Sequence, residues 1–286
     1  MAYKIYSSAE FQANVGLEQS FNAGATGGTN YGALGVGMKV STFDMDADYD
    51  PLYQLAQRNP VEFYTKGHKV NTDLDFVLAA DNYNWINLLG LSTVTGQVSD
   101  TMSTAFVQVG GPTNVYTVGG VAFSSAAIDV EETKTIDVKM TGRGASLSVA
   151  AGSLSTTYPV DPLIWTTASV TLNGGAVSNP VKKASINIKN DLGQYYGLGS
   201  DTYTMFTPLK FTVTADIEIY HTSGLVQTIL TQPDAATSTN TLVLSVAPYT
   251  FTISGVRFNK GGFTLQPVDP VIDKLSVVGT AINITA

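Results

Sequence analysis

Short runs of Val, Ile, Thr, Phe and Tyr, cut by Gly, Asn, Asp and Pro, recur along almost the whole chain and predict β-strands joined by turns. The clearest alternation is Val70-Asn71-Thr72-Asp73-Leu74-Asp75-Phe76-Val77-Leu78. With side chains alternating between faces, Val70, Leu74, Phe76 and Leu78 fall on a core side and Asn71, Asp73 and Asp75 on a wet side. The period then changes: Asp81-Asn82 offers a cap before Trp85, Leu88 and Leu89, whose i, i+3, i+4 spacing predicts a short helix packed on the sheet.

The same strand-then-helix arrangement returns about 141 residues later, with Lys210 to Ile219 as the strand and Ser223, Val226, Ile229 and Leu230 in the positions of Asn82, Trp85, Leu88 and Leu89. Upstream, Lys39 to Asp48 matches Lys182 to Asp191, and downstream Gly120-Val121-Ala122-Phe123 matches Gly255-Val256-Arg257-Phe258. Ile136-Asp137 and Gly142 find counterparts in Ile272-Asp273 and Gly279. Blocks in one shared order indicate a tandem duplication, because unrelated Thr/Val-rich strands would match without keeping order. The expected organisation is a Gly-rich N-terminal arm over 1–37, a first β unit over 38–150 and a second over 151–286, with a Gly/Ser/Ala-rich linker at about 142–160.

Composition narrows the chemistry. The 286 residues contain no cysteine, which removes disulfides, thiolate zinc sites and cysteine nucleophiles together. The formal charge is −8, and only 15 Lys and Arg are present, scattered along the chain, so no clustered basic surface for gripping phosphates is expected. Residues 1–150 carry 15 acidic against 8 basic side chains and residues 151–286 carry 8 against 7, so the first half holds most of the net charge. Neither a secretory leader nor a membrane-length apolar run is seen, which predicts a soluble product made in the cytoplasm. On that reading the Asn283-Ile284-Thr285 sequon has no role.

The sequence carries no catalytic signature. His68 and His221, the two histidines, do not occupy matching positions in the two copies, and no G-x-S-x-G, H-E-x-x-H or P-loop motif occurs. The run Asp44-Met45-Asp46-Ala47-Asp48-Tyr49-Asp50 begins like a calcium loop but has Tyr49 where that loop needs glycine and Leu55 where it needs a bidentate glutamate. Read as a strand, it places its carboxylates together on one wet face, opposite Phe43 and Met45. No enzyme, cofactor or metal site is therefore expected.

These features together have a counterpart. Ala168-Ser169-Val170-Thr171-Leu172, then Lys183 to Asn190, then Leu209 to Leu230, with the weaker first copy over Met38 to Leu91, resemble the major tail tube proteins of long-tailed phages and related viruses. The resemblance lies in the pattern of strands, turns and helix. It implies a mainly β fold of two tandem β-sandwich or partly closed barrel units, each with a short flanking α-helix, that joins neighbours through sheet edges. It also implies a structural virion protein whose rings stack into a hollow tail tube for DNA, with tape measure and tail terminator proteins as further partners. Because such rings are six-fold, a duplicated chain predicts a trimeric ring with pseudo-six-fold symmetry, the alternative being a hexamer. The candidate lumen-facing residues are Asp44, Asp46, Asp48, Asp73, Asp75, Asp216 and Glu218. An acidic lumen would let DNA slide without sticking. The rival reading is a secreted or surface β-sandwich, an adhesion or carbohydrate-binding module with an aromatic recognition patch.

Overall fold

The computed structural model describes residues 11–52, 62–91, 102–172, 175–176, 180–221, 240–264 and 270–285. The protein is mainly β, and its sheets stack as an open sandwich without closing into barrels. In the first half lie β1 (Gln12–Leu17), β2 (Thr29–Gly32), β3 (Val36–Leu52), β4 (Glu62–Val77), helix α1 (Asn84–Leu88), β5 (Ala105–Gly110), β6 (Asn114–Glu131), β7 (Asp137–Gly144) and β8 (Ser146–Ala151). After a 3-10 turn at Trp165–Thr167 come β9 (Ala168–Leu172), β10 (Gly175–Ala176), β11 (Val181–Tyr196), β12 (Tyr203–Tyr220), β13 (Thr241–Val246), β14 (Tyr249–Ser254), β15 (Arg257–Thr264), β16 (Ile272–Gly279) and β17 (Ala281–Thr285).

One strand serves two sheets in the first half. The opening residues of β6 pair with β5 and β8, giving the order β2-β1-β5-β6-β8, while its later residues pair with β7 and continue as β6-β7-β4-β3. In the second half the orders are β10-β9-β13-β14-β17 and β15-β16-β12-β11. These orders coincide strand for strand, with β14 and β15 together standing where β6 stands. The chain turns between sheets at Gly120 and at Gly255, whose φ angles of 63° and 61° are left-handed and favour glycine. The same hydrogen bond closes each corner, from Ala145 N to Gly119 O and from Thr280 N to Ser254 O, both 2.9 Å.

The two halves share one sheet. Lys183–Lys189 of β11 pair antiparallel with Ser125–Glu131 of β6, giving the continuous order β3-β4-β7-β6-β11-β12-β16-β15. Cross-strand pairs of matching chemistry line this junction: Ile186 faces Ile128, Ile188 faces Ala126, and Ser185 Oγ donates to Asp129. Among the described residues, β3 is paired only with β4 and β15 only with β16, so both ends of the order are single-sided.

Alternation along the strands explains the layering. Thr72, Leu74 and Phe76 of β4, Val138 and Met140 of β7, Ile128 and Val130 of β6, Ile186 and Ile188 of β11 and Ala215 and Ile217 of β12 are all buried, and one apolar core runs through both halves. Each such Leu, Ile or Phe contributes about 1.5–3 kcal/mol by leaving water. Helix α1 is a single turn, shorter than the 81–89 stretch suggested. Its start is held by Asn82, whose Oδ1 accepts from Asn84 N at 3.1 Å while its Nδ2 donates to Ala33 O at 2.8 Å. Trp85 projects from α1 toward the second half, where its ring lies 6.2 Å from Tyr249 and 6.3 Å from Phe251. The second expected helix, at 223–230, falls outside the described residues.

Several segments that looked unstructured in sequence carry regular structure. β1 and β2 lie within 1–37, and β8 lies within 142–160. The glycine-rich loop after β1 is tied down by Glu18, whose carboxylate accepts from the backbone N–H groups of Asn22, Gly24 and Gly120 and from Thr104 Oγ1, at 2.7–3.0 Å. Past the sheet, the hairpin of β11 and β12 leans back on the first half: Phe206 packs 5.9 Å from Phe21, and His68 N donates to Asp201 O.

Candidate functional site: the outer face and ends of the shared sheet

The candidate carboxylates converge on one surface. Asp44 and Asp46 of β3 lie opposite Asn71 and Lys69 of β4, and Asp73 and Asp75 point the same way as those two, away from buried Leu74 and Phe76. Across the sheet, Asp216 and Glu218 of β12 occupy the corresponding outward positions between buried Ala215, Ile217 and Ile219. Of Asp48 only the backbone is described, opposite Gly67. Thus the outward side chains of β3, β4 and β12 share the solvent face of the continuous sheet.

That face is mixed in sign. Lys39 Nζ lies 3.7 Å from Asp75, Lys69 Nζ 3.6 Å from Asp46 and Lys274 Nζ 2.6 Å from Glu218. Lys183 reaches Glu131 at 3.9 Å across the central junction, and Lys139 and Arg143 stand exposed on β7 beside exposed Asp137. Exposed pairs of this kind contribute about 0–1 kcal/mol each, so they set local charge and strand register more than stability. Period-two reading of the sequence found the carboxylates, but the lysines facing them come from neighbouring strands and depend on register. Glu131 is held below the usual carboxylate range chiefly by a hydrogen bond from Lys134, with Lys183 and Lys182 adding to the effect.

Each of the two histidines faces an aspartate. His68 Nδ1 lies 3.3 Å from Asp201 at the hairpin contact, and His221 Nδ1 lies 2.9 Å from the buried carboxylate of Asp273. These two pairs sit in different elements. Among the described residues no group of three or more His, Asp or Glu is placed to hold a metal ion, and no helix is long and apolar enough to cross a membrane. A groove of about 460 Å³ lies where the halves meet and is lined by Trp165, Val170, Pro180, Lys182 and Tyr220. Tyr220 donates to Glu132 at its edge, which raises the phenol's pKa.

What the geometry defines is a mainly β protein: a sandwich with one sheet that spans the molecule and, among the described residues, ends in two single-sided strands. A family model described as phage tail tube protein matches residues 56–247, more than half of the chain, so this chain belongs to the phage tail tube protein family. Its role is accordingly structural, in the tail tube of the virion, and family membership implies assembly with itself and with other tail proteins. No curated protein matches the sequence.

Proposed function

We propose that the chain is a tandem of two tail-tube-like units, meeting near residue 150, and that three chains close into a ring of pseudo-six-fold symmetry whose rings stack into the hollow tail tube. The observation that carries this is the β6–β11 junction: two sheets of identical strand order already joined edge to edge, with β3 and β15 single-sided at the outer ends. A single-sided strand is a template for pairing. A head-to-tail contact that rotates by a fixed angle closes into a ring. Two units per chain then need only three chains for six.

In this arrangement the outer face of the continuous sheet lines the lumen, with Asp44, Asp46, Asp48, Asp73, Asp75, Asp216 and Glu218 on it. Three chains carry three times the formal −8, or −24, with most of it on the first units. Alternating signs on the face, within a net negative ring, offer DNA no continuous cationic track and favour passage without retention. The ring's partners are its own copies above and below, with tape measure and tail terminator proteins inside and at the end of the tube, after synthesis in the host cytoplasm. The reading involves no catalysis and no cofactor. Electron microscopy of the purified protein in negative stain tests it: rings or stacked tubes are expected, and a dispersed population at all concentrations refutes it.

A further inference from the structure

We infer that the segment before β1 of one chain docks across the open end of a neighbouring chain's second unit, with Tyr6 in the place that Leu163 holds on the first unit. This inference rests on the ring proposed above and deepens it by naming the strand that seals each seam between chains.

The template lies inside the chain. The stretch leading into the second unit crosses the end of the first as a short strand. Leu163 N donates to Leu78 O at 2.8 Å, Ile136 N donates to Leu163 O at 3.1 Å, and Leu78 N donates to Ile136 O at 2.8 Å. On either side Pro162 bridges Ala79 and Ile164 bridges Thr135, both antiparallel. Leu78, Ile136 and Leu163 are all buried.

The second unit has the same end without that strand. Val70 pairs with Gly144 and Val213 with Gly279 beside the matching corners, where Ala145 N donates to Gly119 O and Thr280 N to Ser254 O. The step from Val70 to Leu78 equals that from Val213 to His221, and the step from Gly144 back to Ile136 equals that from Gly279 back to Val271. The bond between the two is repeated, His221 N donating to Val271 O at 2.9 Å. Among the described residues, however, nothing pairs with His221 O or Val271 N, the counterparts of Leu78 O and Ile136 N, and His221 is exposed. Pro270 stands where Thr135 stands, and the template takes no N–H from Thr135, so a proline there forfeits no bond. One free acceptor and one free donor, placed as in the first unit, fit one residue of an added strand.

Chain order names the occupant. Ala13 of β1 and Val170 of β9 correspond, because the same pairs lead to each from the corners: Tyr116 to Val109 to Ala13, and Phe251 to Leu244 to Val170. Tyr6 precedes Ala13 by the same step as Leu163 precedes Val170. The stretch leading into a unit therefore closes the unit before it. For the first unit, whose β3 edge faces a neighbour's β15 in the ring, the unit before it is that neighbour's second. Residues 1–10, which lie outside the described residues, supply the strand.

The test uses the absence of cysteine from the chain. Ser7 and Pro270 take the places of the bridged pair Ile164 and Thr135, and side chains of such a pair lie within disulfide reach. A chain carrying both Ser7→Cys and Pro270→Cys, assembled and then oxidised, is expected to give covalent multimers that stop at the number of chains in one ring. Ser8→Cys with Pro270→Cys should give none, and Ile164→Cys with Thr135→Cys should close a bond within one chain. In parallel, Tyr6→Pro removes the N–H offered to His221 O and should raise the concentration needed for assembly by about tenfold. Ser7→Pro, where the template's Ile164 N–H is unused, should assemble like the parent. Assembled rings in which the 7–270 pair joins no chains, the shifted pair cross-links instead, or the two prolines act alike overturn the exchange and leave the ring standing. Unaltered protein that forms no ring overturns both.

Discussion

Tyr249 ties the two halves together through its hydroxyl. It is completely buried at the start of β14, and its hydroxyl donates to Ala79 O at 3.1 Å and to Asn82 O, both in the segment between β4 and α1. Tyr249→Phe keeps the ring and its packing against Tyr83, Trp85 and Phe251 at 5.3–6.2 Å. It removes the hydroxyl donor that those two carbonyls receive, a loss of about 1–3 kcal/mol. Tyr83→Phe, at a 39% exposed ring, should stay within about 0.5 kcal/mol. The assay is urea unfolding followed by tryptophan fluorescence in a Trp165→Phe background. The chain has two tryptophans, so the remaining signal comes from buried Trp85 beside Tyr249. The midpoint should fall with the slope unchanged. A midpoint equal to that of the parent refutes the idea that this hydroxyl ties the halves together. Burial also pushes the Tyr249 phenol's pKa up, so its neutral form is favoured in the fold. That contribution is intact below the ordinary tyrosine value near 10 and fades as pH climbs through the higher folded value, and Tyr249→Phe should remove this part of the alkaline dependence.

Three further outcomes are expected. Gly120→Ala and Gly255→Ala, both at left-handed corners where a Cβ would meet Ala145 or Thr280, should each lower stability by about 1–2 kcal/mol in thermal melts, and similar losses would support the equivalence of the corners. Glu18→Ala removes an ionised acceptor of three backbone N–H groups, which should lower stability by about 1.5–3 kcal/mol and speed limited proteolysis between residues 19 and 28. Because Lys134 holds Glu131 below its ordinary range, that pair's stabilisation is present above the unfolded carboxyl's pKa and lost as pH falls through the folded one. Glu131→Gln should therefore flatten the acid limb of a stability–pH curve.

What could be read from the sequence followed from short-range periodicity. Val70 to Leu78 declared its two faces because alternate residues in one strand differ sharply in polarity, and the structure buries Val70, Leu74, Phe76 and Leu78. β1 was harder to see. It passes through Gly16, whose position leaves room for the Phe106 ring, and close packing against a glycine has no signature in β propensity. α1 is one turn, and its Trp85 packs on Tyr249 and Phe251 of the other half, contacts that local spacing does not report. For the candidate site, the carboxylates were legible strand by strand, whereas Lys39, Lys69 and Lys274 became their partners only through pairing register. The single-sided strands β3 and β15 were likewise invisible, since an edge is a property of topology.

The central claim is that three chains, each supplying two like units, make one ring. Mass measurement on a single isolated ring tests it most directly. Three times the chain mass of 30.2 kDa is expected, with six similar lobes around the axis in projection. Six chains in the ring, or an open filament with no closed ring, would contradict it.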